Sequence, residues 1–96
     1  MDNLDFFKGL NLAITVSDKE GNVIYMNDSS IEVNGDARGR NLQGCHNERS
    51  WQIIQHLLAD KATNAYTISK KGKRKLIYQT PWYEDDAKQV VGGLVE

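Results

Sequence analysis

The stretch Ala13–Asn27, AITVSDKEGNVIYMN, predicts a β-hairpin that leads directly into a helix. Its two runs of β-branched and aromatic residues, Ala13–Ser17 and Val23–Met26, are typical of short strands. Between them, Asp18 can accept hydrogen bonds from the following backbone, and Gly21 can adopt the positive φ that closes a short loop. The chain is therefore expected to reverse its direction at this loop.

The residues after the second strand predict a helix start. Asn27 to Ser30 are all of the types that cap helices, and Glu32 is placed to complete a capping box if Ser29 is the cap. The predicted helix covers Ser29–Asn34, since Gly35 suits a left-handed C-terminal position. Upstream, the spacing of apolar residues predicts a short amphipathic helix over Asn3–Leu10.

The strongest helix prediction covers Glu48–Lys61. One apolar stripe runs along it, while His56 lies well off that stripe and is expected to be solvated. The stripe consists of Ile53, Ile54, Leu57 and Leu58, with Trp51 at its border. This helix is expected to cover the core of the domain.

A second hairpin is predicted around Lys71–Lys73, with strands over Asn64–Lys70 and Arg74–Tyr83, and a last strand over Val90–Glu96. The turn length decides which residues face inward, because a slip of one residue exchanges the two faces of a strand. We expect four large apolar residues to share one face: Tyr66, Ile68, Leu76 and Tyr78. Pro81 is expected beyond the end of the neighbouring strand, near Gln79.

Length and composition indicate one small globular domain. A chain of 96 residues with 40% hydrophobic and 26% charged residues falls within the ordinary globular range and contains no apolar run long enough to span a membrane. The net charge of −1 gives no general attraction to nucleic acid or membrane. Acidic Asp2 and Asp5 stand where a signal peptide would be basic. We therefore expect a cytoplasmic protein with neither nucleic acid nor membrane as a partner.

The order of strand, tight turn, strand ending in Asn, short helix, long helix and second hairpin resembles the PAS domain, a sensory module of signalling proteins. Three phrases are similar to short bacterial PAS proteins: NLQGCH at 41–46, YTISKKGKRKLIYQTPWY at 66–83 and GGLVE at 92–96. The resemblance implies an α+β fold, with a five-stranded antiparallel sheet whose first and last strands are adjacent in the middle. One main helix and short helices would pack on one face, with residues 12–96 forming the PAS domain and 1–11 an N-terminal cap.

This resemblance implies signal transduction by a sensor that binds a small molecule in the cup between sheet and helices. The residues expected around a ligand or cofactor are His46 or Cys45 at the mouth, with Trp51, Ile54, Leu58, Tyr66 and Tyr78 along the walls. A homodimer is expected through the helix before the first strand, where Phe6 lies off the apolar stripe. Output would pass to an effector domain or protein, from a free-standing regulator or a fragment of a larger sensor. The alternative is a ligand-free interaction or dimerisation domain.

The identity of a cofactor stays open. His46 can ligate a haem iron, as in haem-binding PAS domains, although packing or capping at the start of the long helix is the favoured interpretation for Cys45 and His46. Residues 39–44, GRNLQG, resemble the flavin-binding signature of light-oxygen-voltage domains, but Leu42 stands where those have their reactive cysteine. Flavin is therefore not expected.

Metal binding without haem and catalysis are not expected either. Two adjacent ligands cannot complete a tetrahedral zinc site, and Cys45 is the only cysteine of the chain. Neighbours in sequence such as Cys45 and His46 seldom face one another as nucleophile and base. A small enzyme using Cys45 is the weaker alternative, and we predict that the protein is not an enzyme.

Overall fold

The computed structural model describes residues 5–45, 48–70 and 72–96. Those residues form four helices and five strands. The helices are α1 (Asp5–Lys8), α2 (Asp28–Asn34), α3 (Leu42–Cys45) and α4 (Glu48–Asp60). The strands are β1 (Thr15–Asp18), β2 (Val23–Met26), β3 (Asn64–Lys70), β4 (Lys73–Tyr83) and β5 (Val91–Val95).

The strands form one antiparallel sheet in the order β2-β1-β5-β4-β3. This confirms the predicted α+β fold with five antiparallel strands and with the first and last strands adjacent in the middle. The buried face of α4 contributes Trp51, Ile54 and Leu57, and the sheet contributes Val23, Met26 and Leu94 to the same core. His56 is exposed and pairs with Asp60, which agrees with its predicted solvation.

The loop of the first hairpin is held by hydrogen bonds within the turn and by a side chain that packs on it. Asp18 accepts hydrogen bonds from the backbone N–H groups of Glu20 and Asn22, as its position in the turn predicts. Gly21 has a φ of 89°, and a β-carbon there would lie 2.6 Å from the indole ring of Trp51. Two independent reasons therefore require glycine at this position: the positive φ of the turn and the close packing of the Trp51 ring.

The second hairpin corrects one prediction. Lys70 pairs with Lys73, so the loop contains two residues and not the three that Lys71–Lys73 would supply. Tyr66 consequently pairs with Ile77, and Tyr78 pairs with Ala65. Directly opposed residues share a face of the sheet. Tyr66 and Ile68 therefore lie on the face opposite to Leu76 and Tyr78, and the expectation that all four share one face was wrong.

The middle of the sheet depends on two adjacent glycines of β5. A β-carbon on Gly93 would overlap the carbonyl oxygen of Ser17 in β1, and one on Gly92 would overlap the ring of Trp82. The indole Nε1 of Trp82 donates to the Ser17 carbonyl at 2.8 Å, so this side chain reaches across β5. Pro81 pairs with Leu94 of β5, and β3 ends opposite Gln79, as predicted for Pro81.

Candidate functional site

A cavity of about 1020 Å³ lies beside the part of the sheet formed by β3 and β4. Residues 11–15 form one wall and residues 75–78 another, and residues 95–96 border it. The remaining lining residues come from β2, from β3 and from the segment that runs from α2 to α3: Val23, Met26, Ser30, Val33, Asn34, Ala37, Leu42, Tyr66 and Ile68. The cavity is thus largely apolar, with a few polar groups, as expected of a site for a small organic molecule.

The N-terminal wall is held in place by the buried side chain of Asn27. Its Oδ1 accepts from the backbone N–H groups of Ile14 and Ser30, and its Nδ2 donates to the carbonyl of Phe7 at 2.9 Å and to that of Leu12. Asn27 is the N-cap of α2, so the condition for a capping box between Ser29 and Glu32 is not met. The hydroxyl of Ser29 instead donates to the carbonyl of Leu10. One asparagine therefore connects the start of α2 to the segment that closes the cavity.

Two hydrogen-bonded hydroxyl groups form a polar site on the N-terminal wall of the cavity. The side-chain oxygens of Thr15 and Ser30 are 2.5 Å apart, and Asn34 Nδ2 lies 3.4 Å from the Ser30 oxygen. Ser30 is fully buried, so its hydrogen bonds compensate for the loss of water. This group places hydrogen-bonding capacity next to the apolar side chains of α2.

The sheet supplies the opposite wall. Tyr66 and Ile68 of β3 face the cavity with Ile77 and Lys75, the residues that pair with them on β4. Burial, and secondly the negative charge of Glu96, raise the pKa of the Tyr66 phenol above its ordinary value. The cavity is therefore lined by a phenol on which the charge of Glu96 acts.

The residues predicted for a binding site do not all meet in this cavity. Tyr66 and Tyr78 both border it, but from opposite faces of the sheet, and the side chain of Tyr78 is 55% exposed. Trp51 and Ile54 are buried in the core, and Leu58 packs against that core. These three residues are not among those that line the cavity, because the apolar stripe of α4 packs directly on the sheet and on α3.

The predicted mouth cannot be assigned from the structure. His46 lies outside the described residues, and of Cys45 the structure describes only the backbone at the end of α3. The roles of both residues at a ligand or haem iron therefore stay predictions. Among the side chains that are described, no three His, Cys, Asp or Glu residues group as metal ligands. No helix within the described ranges is long and apolar enough to cross a membrane.

Sequence reasoning missed several polar groups of the site. Glu96 lines the cavity, and its carboxylate accepts a hydrogen bond from Gln79, which is buried in β4. A polar residue at an inward position of a strand is the signal that could have identified Gln79, but only with the correct register of the hairpin. Thr15 and Ser30 carried no such signal, because each is an ordinary residue for a strand and for a helix start.

Comparison with known proteins identifies the architecture. No family model and no curated protein matches this sequence. Among solved structures, the PAS domain of histidine kinase ThkA aligns with a TM-score of 0.68 and 16% identity over 88% of this chain and 96% of that chain. The PAS domain of Bordetella pertussis BvgS aligns with a TM-score of 0.62 and 19% identity over 99% and 83%.

A third solved structure is only partly covered. Vibrio cholerae VqmA aligns with a TM-score of 0.69 and 17% identity over 96% of this chain but 47% of that chain. The chain thus spans about half the length of VqmA, which is described as a dimeric LuxR-type receptor and has also been solved bound to DPO. Shared strand order, a shared helical layer and these alignments lead to one conclusion: this chain has the fold of a PAS domain.

Proposed function

We propose that this protein is a signal-sensing module that binds a small ligand in the cavity beside β3 and β4. The observation that carries the proposal is the cavity itself, with about 1020 Å³ of space between an apolar sheet wall and α2. Pockets of about 300 to 1,000 Å³ are typical of small-molecule sites. VqmA, which shares the fold, has been solved bound to DPO, so a domain of this shape can belong to a ligand-binding protein.

The N-terminal segment supports a route for the signal. Residues 11–15 line the cavity, and Asn27 fixes the same segment through the carbonyls of Phe7 and Leu12. A ligand that binds more tightly to one position of this segment shifts its population toward that position. The movement reaches α1, where Phe6 is 71% exposed and available to a second copy or to an effector protein. The protein acts in this scheme by binding and not by catalysis.

Native mass spectrometry of protein purified without refolding tests the ligand. We expect an added mass on the folded species that Ile68→Trp abolishes, because Ile68 lines the cavity and the larger side chain fills it. Thr67→Trp is the matched control, since Thr67 is the neighbouring residue on the opposite face of β3. Protein without added mass that also binds no member of a fragment collection by NMR would contradict the proposal.

A ligand-free interaction domain is the second candidate function. The observation that favours it is the exposed apolar surface on the other face of β4, where Leu76 is 73% exposed beside Tyr78. Contiguous apolar surface of this kind often marks protein contacts. Analytical ultracentrifugation of protein that carries no added mass tests this candidate: it predicts a dimer in the absence of any ligand, and Tyr78→Lys should dissociate that dimer.

A further inference from the structure

A lysine and a tyrosine lie together on the wall of the cavity that the sheet forms. Lys75 pairs with Ile68, and Tyr66 pairs with Ile77, so these residues share one face of the second hairpin. Lys75 and Tyr66 both line the cavity. They are diagonal neighbours across the two strands, roughly 7–8 Å apart, a placement in which aromatic and long side chains can meet. Their polar ends can therefore reach the same small group in the cavity.

The protein leaves the donors of both side chains available. Within the described ranges, the half-buried Lys75 has no hydrogen bond or ion pair through its ammonium, and the Tyr66 hydroxyl has no hydrogen bond. An ammonium has three N–H donors and no acceptor. Burial raises the pKa of the Tyr66 phenol above its ordinary 10.0, so the phenol keeps its proton at pH 7 and can donate it. Both groups therefore need an acceptor from outside the protein, either water or a ligand.

The charge at this end of the wall favours an anionic acceptor. Residues 70–75 are basic at every position except Gly72. Glu96 also lines the cavity, but its carboxylate accepts from Gln79, which lies four residues from Lys75 along β4, roughly 13 Å away. That separation exceeds the Debye length of about 8 Å at physiological ionic strength. An anion on the Lys75 side of the Tyr66 ring is therefore close to the ammonium and distant from Glu96.

We propose that Lys75 and Tyr66 form a carboxylate-binding site, so that the ligand of the cavity is a small organic acid. This inference rests on the proposed function, since it assigns a chemical class to the ligand of that cavity. The apolar body of the acid lies against Ile68, Ile77 and Val33, which line the same cavity. One ammonium offsets one negative charge, and two donor groups match the two oxygens of a carboxylate. Charge-assisted hydrogen bonds are roughly twice as strong as neutral ones, so an acid binds better than an uncharged amide of its shape.

Three pairs of acid and amide test this assignment: 3-phenylpropanoate with 3-phenylpropanamide, hexanoate with hexanamide, and benzoate with benzamide. The two members of each pair have nearly the same size, and only the acid is charged at pH 7. Binding to the wild-type protein is followed by NMR titration. We expect at least one acid to bind about tenfold more tightly than its amide. Added salt should weaken the binding of the acid and leave that of the amide unchanged.

Variants assign the preference to the two side chains. Lys75→Met keeps an unbranched apolar side chain and removes the ammonium, so it should abolish the preference for the acid. Tyr66→Phe removes only the hydroxyl group and should weaken binding of the acid about threefold or more. Arg74→Met is the matched control, because the adjacent Arg74 pairs with Ser69 on the opposite face of the hairpin and does not line the cavity. It should keep the wild-type preference.

Amides that bind the wild type as tightly as their acids, or no binding of any of the probes, would overturn the carboxylate assignment. So would a preference for the acid that survives Lys75→Met. The proposed function is decided separately by the native mass spectrum and the Ile68→Trp variant. If Lys75→Met does not fold, the order of acid and amide on the wild type and its salt dependence still decide the assignment.

Discussion

Two regions of this small domain use similar side chains with opposite results. We call the first the packed half, which consists of β1, β2, α3 and α4, and the second the open half, which consists of the hairpin of β3 and β4. In the packed half, Ile54 is completely buried, and the ring of Trp51 lies against Gly21. In the open half, Ile68 is 36% exposed and Tyr66 is 41% exposed, although both face the cavity.

The difference lies in what covers each part of the sheet. The apolar stripe of α4 packs on β5 and on the adjoining end of β4, so the sheet residues there meet helix side chains. Beside β3 the facing elements are the N-terminal segment and α2, and the cavity separates them from the hairpin. The packed half thus obtains its stability from its own side chains, whereas the open half leaves apolar surface for another molecule. The following predictions test this contrast.

The largest effect is expected for Gly93→Val at the middle strand, which joins the two halves. A β-carbon there would overlap the Ser17 carbonyl oxygen and lie 2.7 Å from the Cα of Asp18. These are backbone atoms of a paired strand, so they cannot move aside as a side chain can. We expect a loss above the ~1–3 kcal/mol that is usual for overpacking, and hence no cooperative thermal unfolding by circular dichroism.

Gly44→Ala is the control for this variant, since a β-carbon on Gly44 meets nothing within 4 Å. Alanine in place of a helical glycine should leave the protein unchanged or stabilise it by about 0.5–1 kcal/mol. A Gly93→Val protein that unfolds at the wild-type temperature would contradict the close approach of β1 and β5.

The contrast between the halves is measured directly by a pair of truncations. Ile54→Ala should destabilise the protein by about 2–5 kcal/mol, because it creates a cavity in a closed core. Ile68→Ala removes the same atoms from a partly exposed side chain and should cost less than about 1 kcal/mol. Urea unfolding of both variants provides the comparison, and equal losses would mean that the open half is packed as tightly as the other.

The sequence predicts the packed half well, because several independent signals agree there. The turn at Asp18 and Gly21 and the apolar stripe of α4 each follow from local chemistry. The helix cap shows the limit of such signals. Asn27 and Ser29 are both residue types that cap helices well. In the structure Asn27 is the cap, whereas the Ser29 hydroxyl donates to the N-terminal segment, and the position of that segment cannot be read from the local sequence.

The cavity is predicted less well, since it depends on long-range register. The length of the loop between β3 and β4 decides whether Tyr66 pairs with Ile77 or with Tyr78. A loop of two residues gives the first pair and a loop of three gives the second, and the sequence around Gly72 permits both lengths. The hydrogen bonds from Asn64 to Gln79 and from Gln79 to Glu96 form only in the observed register. Trp51 and Ile54 were expected to line a ligand cavity, but they pack in the core. The sequence does not distinguish these two roles, because an apolar helix face suits a cavity wall and direct packing on the sheet equally well.

The smallest effect on stability is expected at Asp36 and Arg38, an exposed ion pair in the loop after α2. Hydrogen bonds from the Arg38 side chain, at 2.6 and 2.8 Å, are the main cause that lowers the pKa of Asp36 to about 2 from 3.8. A lowered pKa stabilises the folded state above pH 3.8, and this stabilisation is lost as the pH falls through about 2. Solvent screens a pair this exposed, so Arg38→Gln should hardly change urea unfolding at pH 7.

The same variant should nevertheless raise the pKa of Asp36 toward its ordinary value, as measured by NMR titration of the carboxyl carbon. Arg40→Gln is the matched control: Arg40 acts on Asp36 only through its charge and is the weakest of the causes, so its removal should shift the pKa less. An unchanged pKa in Arg38→Gln would contradict the hydrogen-bonded pair. A loss of stability as large as that of Ile54→Ala would contradict the expectation that solvent screens this exposed ion pair.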